Sequence, residues 1–166
     1  MRAHFVAALI VDERGRYLMQ IRDRSPGILH PGALGLFGGA VEAGESADRA
    51  IRRELAEEIG IVPEDLVFWR TLRVPLPAAR RRARDAPIDV FAATIAADRV
   101  PFLDQQEGAG RTLIGPRRLL AEAEVATSAR LAVALHARAA IAAAREEPVA
   151  ERWLVAAAVS DGGTGA

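Results

Sequence analysis

Apolar runs rich in β-branched residues alternate with short polar stretches through the first two thirds of the chain. The runs at 4–11 and 17–22 flank a polar segment at 12–16, and this pattern predicts a β-hairpin. Residues 23–35 contain repeated Pro and Gly and predict a loop. Four more apolar runs predict further strands, at 34–37, 66–74, 88–96 and 111–114.

A helical period replaces this pattern at 47–59. Every fourth residue in this segment is apolar, so one face of the predicted helix would pack on a sheet. The four residues are Ala47, Ile51, Leu55 and Ile59. Gly60 follows them in the position where helices commonly end. Later segments predict three more helices and a disordered tail, at 116–122, 128–144, 150–159 and 160–166.

The order of these elements, strands with one helix early and further helices late, predicts an α/β fold. A mixed sheet packed between helices, an α/β/α sandwich, accommodates that order. We expect one domain over residues 1–159, with extra C-terminal helices from about residue 128. The large apolar residues of these extra helices are interpreted as core, with a homodimer contact as the alternative; they are Leu131, Leu135 and Trp153.

Composition excludes several classes of protein. The 22 basic residues, all of them Arg, balance 22 acidic residues, and zero net charge does not suggest a nucleic-acid binder. The absence of Cys excludes disulfides, a thiolate nucleophile and Cys-bound zinc. No apolar run approaches the roughly 20 residues that cross a bilayer, and the first residues resemble a strand and turn rather than a signal peptide. We therefore expect a cytoplasmic protein without membrane or nucleic-acid partners.

Three carboxylates share one face of the helix predicted at 47–59. Glu54, Glu57 and Glu58 occupy positions i, i+3 and i+4, which are neighbours on a helix surface. Like charges at this spacing are destabilising, and a divalent cation would remove the repulsion. All-oxygen ligands favour a hard ion such as Mg²⁺, which commonly binds carboxylates together with substrate phosphates. The pattern therefore indicates a phosphate ester or anhydride as substrate.

Residues 39–61 also contain a regular spacing of Gly, Glu, Arg and aliphatic residues. Its fixed positions are Gly39, Glu45, Arg53, Glu54, Leu55, Glu57, Glu58, Gly60 and Ile61. This spacing resembles the Nudix box, the signature of the Nudix hydrolase family, and every position of that pattern matches. One departure precedes the box: many members have Pro before the two glycines, whereas this chain has Phe37.

The resemblance implies a Nudix-type α/β/α sandwich and a metal-dependent pyrophosphohydrolase. The implied substrate is a small nucleoside diphosphate linked to another moiety, cleaved by water attack on phosphorus, with Mg²⁺ as cofactor and Mn²⁺ as a substitute. The implied metal ligands are Glu54, Glu57, Glu58 and the backbone carbonyl of Gly38. Glu45 and Arg53 are expected to support these ligands, because Arg53 lies four residues before Glu57 and can reach Glu45.

Two carboxylates are candidates for the general base that takes the proton from water. Glu54 is ranked first because it belongs to the motif. Glu107, in the polar loop 104–108, is the second candidate, and its alternative is an exposed loop carboxylate. A competing interpretation is a catalytically silent Nudix-fold sensor that binds a nucleotide, although the complete box favours an enzyme. The sequence leaves open the leaving group, the base and the oligomeric state.

Three further groups of residues have both a functional and a structural interpretation. Arginines on a presumed hairpin tip are interpreted as a solvated loop end, with phosphate binding as the alternative; they are Arg80, Arg81, Arg82 and Arg84. His30, in a Pro-Gly turn, is interpreted as structural rather than as a substrate contact. Phe37 and Trp69 lie in strand patterns and are interpreted as core residues rather than as platforms for a base.

Overall fold

Within the residues that the structure describes, a six-stranded mixed sheet lies between one helix on one face and two helices on the other. The computed structural model of the chain describes residues 3–27, 30–74, 86–121 and 124–143. The strands are β1 (Phe5–Val11), β2 (Tyr17–Ile21), β3 (Leu34–Gly35), β4 (Val67–Arg73), β5 (Pro87–Thr94) and β6 (Gly110–Ile114). The helices are α1 (Ala47–Ile59), α2 (Pro116–Ala121) and α3 (Thr127–Ala143). The predicted α/β/α sandwich is confirmed.

The sheet opens between β1 and β2 to admit the segment that precedes α1. β1 and β2 are paired only next to their turn, whereas β2 pairs along its length with β6, and β1 runs parallel to β5. β3 pairs with β2, and the residues after it bridge to β1 through Phe37 and Ala40. Val6 donates a backbone hydrogen bond of 2.9 Å to the carbonyl of Gly39. The glycine segment is therefore held by backbone hydrogen bonds in the middle of the sheet.

Helix α1 begins and ends where its sequence predicts. The Ser46 side chain accepts a hydrogen bond from the amide of Arg49 and caps the first turn, and Gly60 ends the helix in a left-handed conformation with φ of 71°. On its apolar face, Ala47 packs against the core but is only partly buried, whereas Ile51, Leu55 and Ile59 are fully buried against the sheet. Each such side chain stabilises the fold by roughly 1.5–3 kcal/mol. One face of α1 is thereby fixed, which sets the direction of the neighbouring acidic face.

Aromatic side chains fill the core between the sheet and helices α2 and α3. Trp69 is buried, and His136 of α3 lies edge-on to it with ring centroids 5.0 Å apart. The hydroxyl of Tyr17 lies 3.0 Å from His136 Nδ1, and burial raises the pKa of Tyr17. Phe37 is fully buried on the α1 side of the sheet. The interpretation of Phe37 and Trp69 as core residues is confirmed.

Helix α3 corrects one prediction about the core. Leu131 is 37% exposed, because the buried face of α3 is formed mainly by small residues around Val133 and His136. Leu135 is partly buried and packs against the core, as expected. A further element was not predicted: a 3₁₀ helix at Ala97–Phe102, which is too short to show a hydrophobic period and contains Pro101.

Several predictions lie outside the described residues. They concern the arginines Arg80, Arg81, Arg82 and Arg84, the side chain of Trp153, the helix predicted at 150–159 and the tail at 160–166. Within the described part of the chain, none of the helices has the length and apolar character required to cross a membrane.

His30 adopts a positive φ of 54° in its turn. Its carbonyl accepts a hydrogen bond from the amide of Ala33, which agrees with a structural role.

Candidate active site

Two consecutive glycines bring the main chain into close contact with its surroundings beside α1. A Cβ atom on Gly39 would lie 2.4 Å from Oε1 of Glu54, so this carboxylate packs directly on the glycine backbone. Gly38 has φ of 132°, and a Cβ atom there would lie 2.3 Å from the carbonyl of Val6. No other residue type fits either position without displacing main chain or the Glu54 carboxylate. The two glycines therefore shape one wall of the site.

The Arg53 guanidinium connects the acidic residues of the box. It binds Glu45 in a bidentate manner, with Nε to Oε1 and Nη2 to Oε2 both at 3.0 Å. Its Nη1 donates to Glu54 at 2.9 Å and to Glu57 at 3.2 Å, and its Nη2 donates to the carbonyl of Ala40 at 3.1 Å. The hydrogen bond to Arg53 lowers the pKa of Glu45, and the same bond raises the pKa of Arg53. The predicted contact between Arg53 and Glu45 is thus present, and the same guanidinium also contacts Glu54 and Glu57.

Glu58 is the buried carboxylate of the site. It is 5% exposed, and it accepts hydrogen bonds from the amide of Gly38 at 2.7 Å and from Nε2 of Gln20 at 3.1 Å. Burial, together with the nearby charges of Glu107 and Glu54, raises the pKa of Glu58 to about 7, against the lowering effect of the hydrogen bonds from the Gly38 amide and Gln20. Glu58 therefore lies within electrostatic reach of both candidate bases.

The loop that carries Glu107 is joined to α1 and β2 by hydrogen bonds. The amide of Gln106 donates to the carbonyl of Glu58 at 2.9 Å. The carbonyl of Glu107 accepts hydrogen bonds from Nε2 of Gln105 at 2.7 Å and from Nε2 of Gln20 at 3.5 Å. The Glu107 side chain itself is exposed. The structure thus brings the predicted loop carboxylate beside the acidic face of α1.

The sequence analysis did not identify Gln20 and Gln105 as residues of the site. Gln20 binds the Glu58 carboxylate, and both glutamines bind the carbonyl of Glu107. Gln20 carried a signal: it is a polar residue that follows three apolar residues in a strand and occupies a position alternating with the core residue Leu18. A polar side chain on a buried face requires a partner, and here the partner is Glu58. Gln105 carried no comparable signal, because it lies in a polar loop.

The donors present suit a hard divalent cation, although the carboxylates are engaged with protein partners. Among the described residues, no three Asp, Glu, His or Cys side chains are grouped as ligands of one metal ion. Glu54 and Glu57 face Arg53, whereas Glu58 binds Gly38 and Gln20. Burial is the main cause of the raised pKa of Glu58, and the charges of Glu107 and Glu54 add to it; a cation would offset this unfavourable negative charge, and oxygen ligands are the donors that Mg²⁺ prefers. The donor set fits such an ion, and its ligation remains a prediction.

The raised pKa of Glu58 predicts how the stability of the metal-free protein, kept in EDTA, depends on pH. In the folded protein this carboxyl titrates near 7 instead of 4.5, so the folded state binds more protons than the unfolded state between these values. Protonation of Glu58 therefore adds to the free energy of unfolding; this contribution is complete below pH 4.5 and is lost as pH rises through 7. At about 1.4 kcal/mol per pH unit it amounts to roughly 3 kcal/mol.

Urea unfolding in EDTA at a series of pH values between 4.5 and 8 measures this contribution. The comparison that isolates it is between wild-type protein and Glu58→Gln, because other carboxyls titrate equally in both. We expect the free energy of unfolding of wild-type protein to fall relative to the variant as pH rises through this range. A difference between the two proteins that stays constant with pH would contradict the raised pKa.

A cavity of about 290 Å³ lies near the end of β2, on the α2 side of the sheet. Its walls are apolar at Ile21, Leu34 and Ile114, and they include polar groups from Thr112, Arg118 and Glu124. Polar and apolar groups line the cavity about equally, and its volume lies close to the lower limit of small-molecule pockets. The neighbouring residue Gln20 reaches Glu58 from the other face of the same strand.

The comparisons with known proteins agree with this geometry. The family model for the NUDIX domain matches residues 1–135. The nucleoside triphosphatase NudI of Salmonella arizonae is 34% identical over 71 residues, which are 42% of this chain and 50% of that protein. The chain thus matches about half the length of its curated relatives.

Solved structures share the fold at low sequence identity. The MutT protein from Methanosarcina mazei Go1 has a TM-score of 0.66 at 23% identity, and the match covers 82% of this chain and 94% of that one. The NUDIX domain of Shewanella oneidensis NrtR, solved in complex with ADP ribose, has a TM-score of 0.60 at 17% identity, with 81% and 85% covered. The fold is therefore of the Nudix type. Because the family model also matches most of the sequence, the chain belongs to the Nudix hydrolase family.

Proposed function

We propose that this protein is a metal-dependent pyrophosphohydrolase that cleaves a nucleoside diphosphate linked to another moiety. The observation that carries the proposal is the grouping of Glu54, Glu58 and Glu107 beside a glycine main chain, with Arg53 holding two further carboxylates. A solvated structural helix has no need to bury Glu58 among other acidic groups. The arrangement suits the binding of cations and, through them, of phosphates.

The protein's own residues have separable roles in this proposal. The groups that would hold Mg²⁺, or Mn²⁺ in its place, are Glu54, Glu57, Glu58 and the carbonyl of Gly38. When bound, the ion supplies positive charge that stabilises the negative charge developing on the phosphate oxygens. Arg53 and Glu45 orient the carboxylates. Glu54, or alternatively Glu107, accepts the proton of the water that attacks phosphorus.

The substrate class is supported by what the similar proteins act on or bind. NudI is a nucleoside triphosphatase, and the NrtR domain binds ADP ribose. A nucleoside triphosphate and ADP ribose share one chemical feature: each is a nucleoside diphosphate linked to a further group. In our proposal the cavity beside β2 receives a part of the substrate other than the phosphates. A small nucleotide derivative is therefore the partner that we propose for this chain.

A panel of nucleotide derivatives tests the proposed function. Nucleoside triphosphates, ADP ribose, nucleotide sugars, dinucleoside polyphosphates and coenzyme A derivatives are incubated with protein and Mg²⁺, and released phosphate is measured after coupling to a phosphatase. We expect turnover of at least one compound, abolished by EDTA and restored by Mg²⁺ or Mn²⁺. Tight binding of a nucleotide by calorimetry without turnover of any compound would instead support the alternative, a catalytically silent nucleotide sensor.

Glu107→Gln separates the two candidate bases. If Glu107 takes the proton, the variant keeps Mg²⁺ affinity within about twofold and loses roughly 10²-fold or more in kcat, the usual range for loss of a general base. Glu54→Gln is expected to weaken both metal binding and turnover, because Glu54 is also a proposed ligand.

Asp104→Asn is the matched control for Glu107→Gln, since Asp104 is an exposed carboxylate of the same loop that contacts the side chain of Gln106. Calorimetric titration with Mg²⁺ and initial rates on the best substrate measure both properties. Full kcat in Glu107→Gln would show that this carboxylate is solvated and takes no part, and would leave Glu54 as the base.

A further inference from the structure

Gln20 is a buried polar side chain in an otherwise apolar strand. It is 5% exposed, and the preceding residues Tyr17, Leu18 and Met19 are fully buried. Its amide group donates to Oε1 of Glu58 at 3.1 Å and, over a longer distance of 3.5 Å, to the carbonyl of Glu107. A buried amide is costly unless it is paired, so these two contacts account for its presence. One side chain thus bridges α1 and the loop that carries Glu107.

The loop approaches β2 too closely for this bridge to be incidental. Gly108 has φ of 85°, and a Cβ atom there would lie 2.8 Å from Cγ of Gln20 and 2.8 Å from the carbonyl of Ile21. The amide of Ala109 donates to that same carbonyl at 2.8 Å. Because glycine has no side chain, the main chain after Glu107 lies directly on the side chain of Gln20.

A second glutamine holds the loop from its other side. Nε2 of Gln105 donates to the carbonyl of Glu107 at 2.7 Å and to the carbonyl of Gly110 at 2.9 Å. Arg111 donates to Oε1 of Gln105 at 3.2 Å and to the carbonyl of Val100 in the 3₁₀ helix at 2.9 Å. The carbonyl of Glu107 is therefore held between two amide groups, and one of them, from Gln20, also holds Glu58.

We propose that Gln20 is a positioning residue, whose amide sets the placement of the Glu107 loop relative to the Glu58 carboxylate. The inference rests on the proposed function, in which Glu58 is a metal ligand and Glu107 is one of the two candidate bases. Gln20 touches neither substrate nor reacting atoms in this proposal. Its effect on turnover is indirect, because it aligns two acidic groups that belong to segments far apart in the sequence.

Gln20→Met tests the proposal, since Met is similar in length and cannot donate hydrogen bonds. We expect kcat on the best substrate to fall about tenfold or more while KM changes less than about twofold, the pattern for a residue that orients catalytic groups. Gln106→Met is the matched control. Its side chain lies in the same loop and is exposed, and it donates a hydrogen bond to Asp104 rather than to Glu58 or the Glu107 carbonyl, so wild-type kinetics are expected.

Two readouts are independent of turnover. Hydrogen exchange of the Gln106 and Ala109 amides, which donate to the carbonyls of Glu58 and Ile21, should become about fivefold faster in Gln20→Met. The amide of Leu119, in a different hydrogen bond, serves as the internal reference. Calorimetric titration with Mn²⁺ in the absence of substrate should show affinity weaker by about tenfold, because Glu58 loses a donor that orients it.

A second variant keeps the test valid if Gln20→Met folds poorly. This variant is Gln105→Met, at a side chain that is only half-buried. It removes the other donor to the Glu107 carbonyl and leaves Glu58 bound to Gln20. It should therefore lower kcat without changing Mn²⁺ affinity. Wild-type kcat in Gln20→Met, even with faster exchange, would overturn the positioning role. If wild-type protein turns over none of the nucleotide panel, the proposed function fails separately. The Mn²⁺ affinity and the amide exchange rates of Gln20→Met then decide the role of Gln20. If both equal the wild-type values, the proposed role is overturned.

Discussion

Replacing Glu57 with Gln is expected to lower kcat/KM at limiting Mg²⁺ by about a hundredfold or more. A metal ion contributes several kcal/mol of charge stabilisation in the transition state, and a hundredfold loss corresponds to about 2.7 kcal/mol. The Glu57 side chain is 59% exposed, and its contact is with Arg53 at 3.2 Å, so the substitution removes a proposed ligand without opening the core. Initial rates over a Mg²⁺ titration, together with thermal unfolding, measure both effects.

Asp48→Asn is the matched control for this experiment. Asp48 is an exposed carboxylate on the same helix and pairs with Arg52 four residues away, just as Glu57 pairs with Arg53. It lies in the first turn, outside the group of acidic residues around Glu58, and its loss should leave the Mg²⁺ dependence unchanged. Wild-type turnover by Glu57→Gln at limiting Mg²⁺ would refute the assignment of Glu57 as a ligand.

Arg53→Ala is expected to lower kcat by about 10-fold to 100-fold with a smaller rise in KM. The reason is that Arg53 orients Glu54 and Glu57 and is bound in turn by Glu45, so its removal misplaces proposed ligands. In this assignment substrate does not contact the guanidinium, and the loss falls on turnover rather than on binding. Steady-state kinetics on the best substrate of the panel separate the two parameters.

Two other variants define the role of Arg53. Arg53→Lys should restore little activity, because an ammonium group has three donors on one nitrogen, whereas the guanidinium makes five hydrogen bonds from three nitrogens. Arg52→Ala, which removes the neighbouring exposed arginine and its pair with Asp48, should retain wild-type kinetics. A rise in KM alone for Arg53→Ala would identify Arg53 as a substrate contact instead.

The acidic face of α1 is the part of the site that the sequence predicts best. Residues three and four positions apart are neighbours on any helix, so the common face of Glu54, Glu57 and Glu58 needs only the helix itself. The helix, in turn, follows from a short-range apolar period with Ser46 and Gly60 at its ends. The match to the Nudix box then predicted the family, which the comparison over residues 1–135 confirmed.

The sequence by itself therefore predicted the family, the strands and α-helices of the described core, and the common face of Glu54, Glu57 and Glu58, since all of these depend on local spacing. Only the tertiary structure showed that β1 and β2 separate to admit Gly38 and Gly39, because strand pairing is a long-range choice. The link from Gln20 to Glu58 spans 38 positions in the chain and the link to Glu107 spans 87, which no local pattern encodes. Packing also decided that Leu131 is partly exposed, because small residues of α3 face the sheet instead.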